Sequence, residues 1–365
     1  MLSTSVEVCS PLDTELTPAV DACRVDDPQW LNFLGSQPDA TVFHHPSWST
    51  LLADTYGHRA FVLVQRRSDG DIVAGLPVLQ MRGLFQGGCF RALPFTDHCP
   101  PLARSAASLR AFTDNLARWR AAQGLGRLVV HGELASAPSV HPISRGVRHV
   151  LPLDRSSDQV LESLKGGPVP RAIRKAQRQG VRTSISRSIA DLPTFYRLHL
   201  QTRRRLGAPI QPKRFIEALW HEVLGAGLGF VVIAAYLGQP VAAGLFLAWN
   251  RNLIYKFGAS DTRYWELRPN NLVMWTAIDW ACRHGYRVLD FGLTSYHNQG
   301  LRDFKKRWGS LEIPLEYSYV GDPPTGSRSR ATQRALARVI KASPPIVCRL
   351  MGEVLYRHVW PTSAS

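Results

Sequence analysis

Residues 287–309 read RVLDFGLTSYHNQGLRDFKKRWG, and the rest of the chain is best interpreted outward from this stretch. Arg287 to Phe291 alternates apolar and polar side chains and predicts a strand, which Gly292 ends. The polar run from Thr294 to Gly300 predicts a loop. From Leu301 to Trp308, apolar side chains recur at i, i+3 and i+7, which predicts a short helix with one buried face.

Four basic residues lie around the rest of that helix: Arg302, Lys305, Lys306 and Arg307. One interpretation is a solvated basic face that covers a sheet, because runs of charge usually lie in water. The other is that one of the lysines points into a cleft and takes part in chemistry. The spacing alone leaves both interpretations open.

The composition predicts a globular protein with an anionic partner. The chain has 365 residues, of which 45% are hydrophobic, and this is enough for two ordinary domains with separate cores. Its formal net charge is +16 and its pI is ≈ 10.1. A chain this basic is expected to meet a nucleic acid, a phosphate-bearing substrate or an acidic membrane surface. The charge does not choose among the three.

The cysteines predict neither a metal site nor a disulfide framework. The six of them, at positions 9, 23, 89, 99, 282 and 348, form no Cys-x-x-Cys pair and do not cluster with histidines, which fits a reducing compartment. The N-terminus has no basic start followed by an apolar segment, and no apolar run reaches membrane-spanning length. We expect a cytoplasmic protein, either soluble or peripheral on the inner face of the plasma membrane.

Periodicity and turn residues predict an element order that occurs twice. The first half predicts helices at 28–34, 46–56 and 106–123, and strands at 60–65, 71–81, 84–93 and 127–131. Near Leu151 the pattern begins again. The second half predicts helices at 158–164, 170–179, 192–206, 212–224 and 271–284, and strands at 181–186, 229–237, 241–249, 253–259 and 312–319.

Several short motifs resemble the FemAB-like peptidyltransferases and their relatives among the GNAT-type acyltransferases. The late motifs are Asp290-Phe291-Gly292, Gly300, Phe304-Lys305 and Trp308-Gly309. Earlier matches, in order along the chain, are Phe43 to Trp48, Tyr56-Gly57, Leu93-Pro94-Phe95, Arg171 to Gly180, Gly258 to Asp261 and Pro269 to Leu272. The resemblance covers roughly residues 40 to 320, and it rests on the order and spacing of the motifs. The chain lacks the long helical hairpin that the cell-wall members use for tRNA.

The resemblance implies an α/β fold of two tandem GNAT-like modules with mixed central sheets flanked by helices. We predict a loose segment over residues 1–25, an acceptor-side module over 26–153 and a donor-side catalytic module over 154–320. Residues 321–365 are predicted to be a linker and a basic helical tail. From Ser327 to His358 the tail holds seven Arg or Lys against one Glu, a pattern that fits an anionic membrane surface or packing on the protein's own flank.

Acyl transfer to an amine requires a donor carbonyl held close to the amine and a cation or N–H group that stabilises the developing oxyanion. The resemblance implies that Lys305 is this cation and that Phe304 shapes the pocket around it. Asp290 has two interpretations: it holds the following loop through hydrogen bonds, or it orients the acceptor amine.

The donor is expected to bind the second module. Between Ser260 and Asn271 there is no glycine, so a backbone cradle for the pyrophosphate of CoA is not expected. The resemblance implies aminoacyl-tRNA instead, and no acidic residue interrupts the basic run from 165 to 187. The predicted donor-binding residues are Arg171, Arg174, Lys175, Arg178, Tyr255, Lys256, Asn270 and Asn271. A basic surface without this role remains the alternative.

The acceptor is expected in the first module, where polar residues in loops can face it. The predicted residues are Tyr56, His58, Thr96, Asp97 and His98. Each of them, taken singly, is also typical of a turn or cap.

The sequence therefore predicts an acyltransferase with no bound cofactor. It would form an amide on a cell-envelope or exopolysaccharide precursor that bears an amino group, with aminoacyl-tRNA as co-substrate. An acyl-CoA-dependent N-acetyltransferase acting on a polysaccharide intermediate is the first alternative. A non-catalytic protein that binds anionic polymer or membrane is the second. Motifs typical of nucleotide hydrolysis, dinucleotide binding, serine hydrolysis and zinc proteolysis do not occur.

Overall fold

The computed structural model describes residues 16–81, 89–322 and 330–358. Four sequence predictions fall at least partly outside these ranges: the loose segment up to residue 15, the start of the strand region 84–93, the linker at 323–326 and the tail beyond residue 358. Within the described ranges, no helix has both the length and the apolar character needed to cross a membrane.

The first half of the chain places helices on a set of mostly antiparallel strands. Its elements are β1 (Leu16–Cys23), α1 (Pro28–Gly35), α2 (Pro46–Tyr56), β2 (Arg59–Arg67), β3 (Ile72–Met81), β4 (Cys89–Ala92), β5 (Leu102–Ala103), α3 (Ala106–Ala122), β6 (Arg127–Val130) and β7 (Val140–Pro152). The hydroxyl of Ser105 caps α3 by accepting a hydrogen bond from the amide of Ser108. This helix connects β4 to β6, which pair in parallel.

The second half repeats this order. Its elements are α4 (Ser157–Ser163), α5 (Pro168–Arg178), β8 (Arg182–Ser186), α6 (Leu192–Leu206), α7 (Lys213–Ala218), β9 (Gly229–Tyr236), β10 (Gln239–Trp249), β11 (Asn252–Ser260), α8 (Pro269–Arg283), β12 (Val288–Thr294), α9 (Gln299–Lys306) and β13 (Leu311–Gly321). Here α8 connects the parallel strands β11 and β12, as α3 connects β4 and β6.

The two halves share one 13-stranded sheet because each gives its last strand to the other. β7 follows β6 in the chain but pairs with β12, and β13 follows β12 but pairs with β6. β7 and β13 also pair with each other, antiparallel, along most of their length. The exchange sets residues of β7 directly beside the end of β12, with Val150 opposite Asp290.

Separate cores lie on the faces of the sheet. One face of the second half packs on α5 and α8, around Phe230, Phe246 and Trp308. The opposite face packs on α6 and α7 and continues into the first half, where Trp48 joins the same cluster. A further cluster in the first half surrounds Phe112 of α3. Burial of apolar surface therefore fixes the two halves against each other as well as internally.

Two helices end the described chain: α10 (Arg330–Ala342) and α11 (Pro345–His358). Both contact α6. The tail therefore packs on the protein's own flank through one face, as one of the two sequence interpretations has it.

Two stretches differ from the sequence analysis. The prediction of a loose lead-in over residues 1–25 is wrong for Leu16–Cys23, which pairs antiparallel with β2. Its hydrogen bonds come from a partner strand that the local pattern does not reveal. The sequence also predicts no strand between residues 131 and 153, where β7 spans Val140–Pro152. Pro142 and Gly146 interrupt the strand pattern there.

Candidate active site

An opening between β11 and β12 organises the candidate site. The two strands pair in parallel only over Asn252–Ile254 and Val288–Asp290. Beyond these residues β11 continues along β10 as far as Ser260, whereas β12 continues along β7. The backbone groups that face the opening are therefore free of strand pairing across it, and side chains from elsewhere can bind them.

Gly292 lies at the start of the opening, in a backbone conformation that favours glycine. Its φ is +72°, in the left-handed region that other residues rarely adopt. Its amide donates a hydrogen bond of 2.7 Å to Oδ1 of Asp290. A Cβ at this position would lie 2.6 Å from Oδ2 of Asp97. The missing side chain therefore makes room for a carboxylate from the first half of the chain.

Lys305 enters the opening from α9 and is only 2% exposed. Its Nζ donates to the carbonyl oxygens of Gly292, at 2.8 Å, and Leu293, at 3.4 Å. An ammonium has three N–H donors, so these carbonyls take two of them. Burial lowers the pKa of Lys305 to about 8, and the carboxylates of Asp97 and Asp290 oppose that shift. At neutral pH the side chain therefore remains mostly a buried cation.

A second buried lysine ties the first half to the opening. Lys256 of β11 donates a hydrogen bond of 2.7 Å to the carbonyl oxygen of Phe95, and its Nζ lies 3.8 Å from Oδ1 of Asp97. The rings of Phe43, Trp48 and Phe257 surround it. Burial lowers its pKa, and Asp97 opposes that shift. The carboxylate of Asp97 thus acts on both buried lysines of the opening, Lys256 and Lys305.

Asp290 lies in a charged cluster with β7. Nη1 of Arg148 is 3.4 Å from Oδ2 of Asp290 and 2.8 Å from Nδ1 of His98. Because arginine can only donate, His98 accepts through Nδ1. Burial, followed by the charge of Arg148, lowers the pKa of His98 to about 3, so the ring is neutral. Burial raises the pKa of Asp290, and Arg148 opposes that rise.

This cluster lines a large cleft between the two halves, with a volume of ≈ 1050 Å³. Residues 35–39, 100–103, 105 and 106 of the first half form one wall. Arg148, Asp290 and residues 313–315 form part of the other wall. The cleft therefore reaches Asp290, two residues before Gly292 in β12, and it can admit a substrate larger than an acetyl group.

A smaller cavity of ≈ 370 Å³ lies beside Phe304. Its lining is Pro168, Val169, Arg171, Ala172, Lys175, Arg268, Asn271, Phe304 and Arg307. Four of these are cations and none is acidic, although Lys175 also lies 3.7 Å from Glu266. An apolar floor with a cationic rim suits a ligand that carries an acyl or ring group next to phosphate.

The helix that carries Lys305 is fixed by Glu312 of β13. One oxygen of Glu312 accepts a hydrogen bond of 2.7 Å from Nη2 of Arg302, and the other lies 3.2 Å from Nζ of Lys306. Arg302 is the main reason that the pKa of Glu312 falls to about 2. These contacts anchor α9 on both sides of Lys305 without using Lys305 itself.

Comparison with known proteins identifies the second half. Residues 169–306 match the family model of the acetyltransferase (GNAT) domain. Residues 169–306 are a GNAT domain. It contains the opening, both lysines and most of the lining of the smaller cavity, and it makes the chain an enzyme of the acyltransferase class. A search of curated proteins finds no significant match.

Solved structures show that the likeness extends beyond the GNAT domain. FemX superposes with a TM-score of 0.67 at 14% identity, covering 82% of this chain and 96% of FemX. L-PGS from Bacillus licheniformis superposes with a TM-score of 0.53 at 12% identity, covering 88% of this chain and 98% of L-PGS. A conserved protein of unknown function from Bacteroides thetaiotaomicron superposes with a TM-score of 0.52 at 10% identity, covering 84% of this chain and 100% of that protein. The predicted α/β fold of two tandem GNAT-like modules is confirmed.

The residues predicted as catalytic or donor-binding fall into two groups around the GNAT domain. Lys305, Asp290 and Lys256 lie at the opening, whereas Phe304, Arg171, Lys175 and Asn271 line the smaller cavity. Arg174, Arg178 and Asn270 lie on the same two helices but are not among the lining residues. Tyr255 packs against Phe246, and burial raises its pKa to about 12.

The predicted acceptor residues are spread more widely. Asp97 lies against Gly292, and His98 lines the large cleft. Thr96 is buried and accepts a hydrogen bond of 2.8 Å from the indole of Trp48. Tyr56 stacks near Phe95 and Phe215, with His58 beside it, outside the cleft lining.

Sequence reasoning missed Arg148, Arg268 and Arg307 as site residues. Arg148 lies in β7, which the sequence did not indicate as a strand. Nothing in the sequence therefore indicated that Arg148 lies close to Asp290. Arg307 was seen only as part of the basic helix. Arg268 has a φ of +59° just before α8, and its place after an irregular polar segment is a weak hint of a special backbone position.

Proposed function

We propose that the chain forms an amide by transferring an aminoacyl group from aminoacyl-tRNA to an amino group on a cell-envelope or exopolysaccharide precursor. The observation that carries this proposal is the burial of the Lys305 ammonium where β11 and β12 separate, beside the carboxylate of Asp97. A fixed cation in a site of low polarity stabilises the oxyanion that forms when an amine attacks an ester carbonyl.

In the proposed reaction the neutral acceptor amine attacks the ester carbonyl carbon of the donor. A C–N bond forms, and the carbonyl oxygen gains negative charge next to the third N–H of Lys305. Asp97 accepts a hydrogen bond from the attacking nitrogen and orients it. The ester C–O bond then breaks, and the proton lost by nitrogen goes to the leaving oxygen. Asp290 acts as a positioning residue, because its carboxylate holds the amide of Gly292.

The donor is proposed to bind in the cavity beside Phe304. Arg171, Lys175, Arg268 and Arg307 would contact phosphate and ribose, and the apolar floor would hold the acyl side chain. The sequence resemblance to FemAB-like enzymes and the absence of glycine from 260 to 271 support tRNA over CoA. Acyl-CoA stays the second candidate because the matching family model describes acetyltransferases. The N-terminus of α8, which no side chain caps, lies at the same cavity through Asn271.

The acceptor is proposed to enter through the cleft of ≈ 1050 Å³. Its walls come from both halves and end at Asp290 and Arg148. Arg148 offers a cation to a phosphate or carboxylate of the acceptor, and the exposed polar rim suits a glycan or peptide. This cleft is large enough for an amino sugar or a short peptide carrying the amine.

The test supplies two labelled donors in parallel, a charged tRNA pool and acetyl-CoA, to purified protein with an envelope lipid and glycan extract. Lys305→Met is the control because it keeps the volume of the side chain and removes the charge. Transfer from tRNA that fails in the variant supports the proposal. Transfer only from CoA would replace it with the acetyltransferase alternative, and equal transfer by both proteins would contradict the role of Lys305.

A further inference from the structure

The corner between α10 and α11 exposes an unusual number of apolar side chains. Ile346 is 67% exposed and Leu350 is 62% exposed, and Val347 of the same helix and Val339 of α10 are also exposed. Each belongs to one of the two helices or to the turn between them. Contiguous apolar exposure of this kind is typical of a surface that binds another apolar phase.

The other face of α11 already packs on the rest of the protein, so the exposed apolar residues do not belong to an undocked helix. Cys348 is buried, and its thiol lies 3.4 Å from the carbonyl oxygen of Ile340 in α10. Met351 packs on the main core, and the guanidinium of Arg349 lies over the ring of Tyr196 at 5.4 Å. The tail is therefore held on α6 by one face, and it presents Ile346, Val347 and Leu350 outward.

A basic pocket adjoins this apolar face. It has a volume of ≈ 510 Å³, and its lining is Arg197, Leu200, Gln201, Arg204, Arg205, Lys341, Pro345 and Arg349. Five of the eight residues are cations and none is acidic. Lys341, Pro345 and Arg349 belong to the same corner as the exposed apolar residues, so the two features form one surface.

We propose that this surface binds an anionic phospholipid bilayer. Ile346, Val347 and Leu350 enter the boundary between headgroups and acyl chains, and the pocket binds a lipid phosphate. Apolar side chains beside a concentrated positive charge complement a membrane, which offers acyl chains next to phosphate. Nucleic acid would use the charge but would leave the apolar residues in water. A second copy of this basic chain would bring like charges together.

The surface lies on the outer side of α6, whose inner side packs on β11, the strand of Lys256. The inference extends the proposed function by naming a membrane as partner. Its test needs no turnover, so the two can fail separately.

The experiment measures sedimentation of the full chain with vesicles of phosphatidylcholine, with or without about one third phosphatidylglycerol. Binding is expected only to the anionic vesicles. Arg204→Gln with Lys341→Gln should weaken it about 25-fold, since each charge near the surface contributes about fivefold. Ile346→Gln with Leu350→Gln should weaken it at least about tenfold. Leu237→Gln, at a side chain that is 83% exposed in the turn after β9, is the matched apolar control and should bind normally.

Three results would overturn the proposal. The first is equal binding to both vesicle types or by all variants. The second is that the Arg204 and Lys341 variant no longer binds a total tRNA preparation but binds vesicles as the wild type does, which would assign the pocket to nucleic acid. The third is a change in oligomeric state, measured by sedimentation velocity, in the Ile346 and Leu350 variant with unchanged vesicle binding, which would make the face a contact between copies.

Discussion

The ammonium nitrogen of Lys305 lies 2.8 Å from the carbonyl oxygen of Gly292, and both groups are inside the opening between β11 and β12. The carbonyl is available to the lysine because β12 leaves β11 two residues earlier in the chain. A cation is thus fixed at the end of a strand before any substrate binds. Such preorganisation is what makes an electrostatic contribution to catalysis large.

Replacing Lys305 with methionine should lower kcat by about 100-fold to 1000-fold, the usual effect of removing an oxyanion donor. The variant should still fold because the side-chain volume is kept, but its thermal transition should be lower because the carbonyl oxygens of Gly292 and Leu293 lose their donor. In the wild type, kcat should fall as the pH rises through about 8, where Lys305 loses its proton. Steady-state kinetics across pH measure both effects. Wild-type turnover in a folded methionine variant would exclude the assigned role.

Replacing Asp97 with asparagine should lower the pH at which kcat falls as Lys305 loses its proton. The carboxylate of Asp97 raises the pKa of Lys305 against the effect of burial, so removing its charge lowers the pKa further below about 8. The pH profile of kcat gives the shift directly. Asp114→Asn, an exposed carboxylate on α3, is the matched control and should leave the profile unchanged. If kcat of the variant instead falls at a higher pH than in the wild type, Asp97 does not raise the pKa of Lys305.

Replacing Gly292 with alanine should destabilise the fold for two separable reasons. A left-handed φ costs a residue with a Cβ about 1–2 kcal/mol. The new Cβ would also press on Oδ2 of Asp97 at 2.6 Å. Urea unfolding should show that adding Asp97→Ala to Gly292→Ala recovers the steric part of the loss but not the backbone part. If the double variant loses as much as the sum of both single changes, the two residues do not press on each other.

Replacing Arg171 and Lys175 together with glutamine should raise the KM for the donor and leave kcat nearly unchanged. Both residues line the cavity beside Phe304 and are placed to bind phosphate rather than the reacting carbonyl. For a tRNA donor, the slope of log KM against log salt should decrease by about 2, one for each cation removed. Arg110 and Arg118, exposed on α3, give a control pair of equal charge. An identical change in that pair would mean that only net charge matters.

The sequence indicated candidate residues for this site, but it did not indicate which of them lie close together in the fold. The Phe-Lys motif pointed to Lys305 because α9 is local and its pattern is strong. Asp97 and Lys256 were predicted as parts of an acceptor site and a donor site, yet their charged groups lie 3.8 Å apart. Contacts between residues so distant in the chain depend on how the two halves dock, and no local pattern encodes that.

The exchange of β7 and β13 had no sequence signal for a related reason. Each strand would satisfy its hydrogen bonds with any neighbour of suitable register, so the choice of partner is a property of the whole sheet. Arg148 shows the consequence. It was missed because β7 was missed, and it became a site residue only when β7 paired with β12 and brought it to Asp290.

Replacing Glu312 with glutamine should loosen the helix that carries Lys305. Glu312 binds Arg302 and Lys306, on either side of Lys305 in α9. Its pKa falls from 4.5 to about 2 in the folded chain, so its contribution to stability is present above about pH 4.5 and disappears as the pH falls towards 2. The wild type should therefore lose stability over that interval more steeply than the variant, as measured by urea unfolding at each pH. At pH 7 the variant should also show a lower kcat, because α9 places the cation. Parallel stability curves for the two proteins would show that Glu312 does not anchor α9.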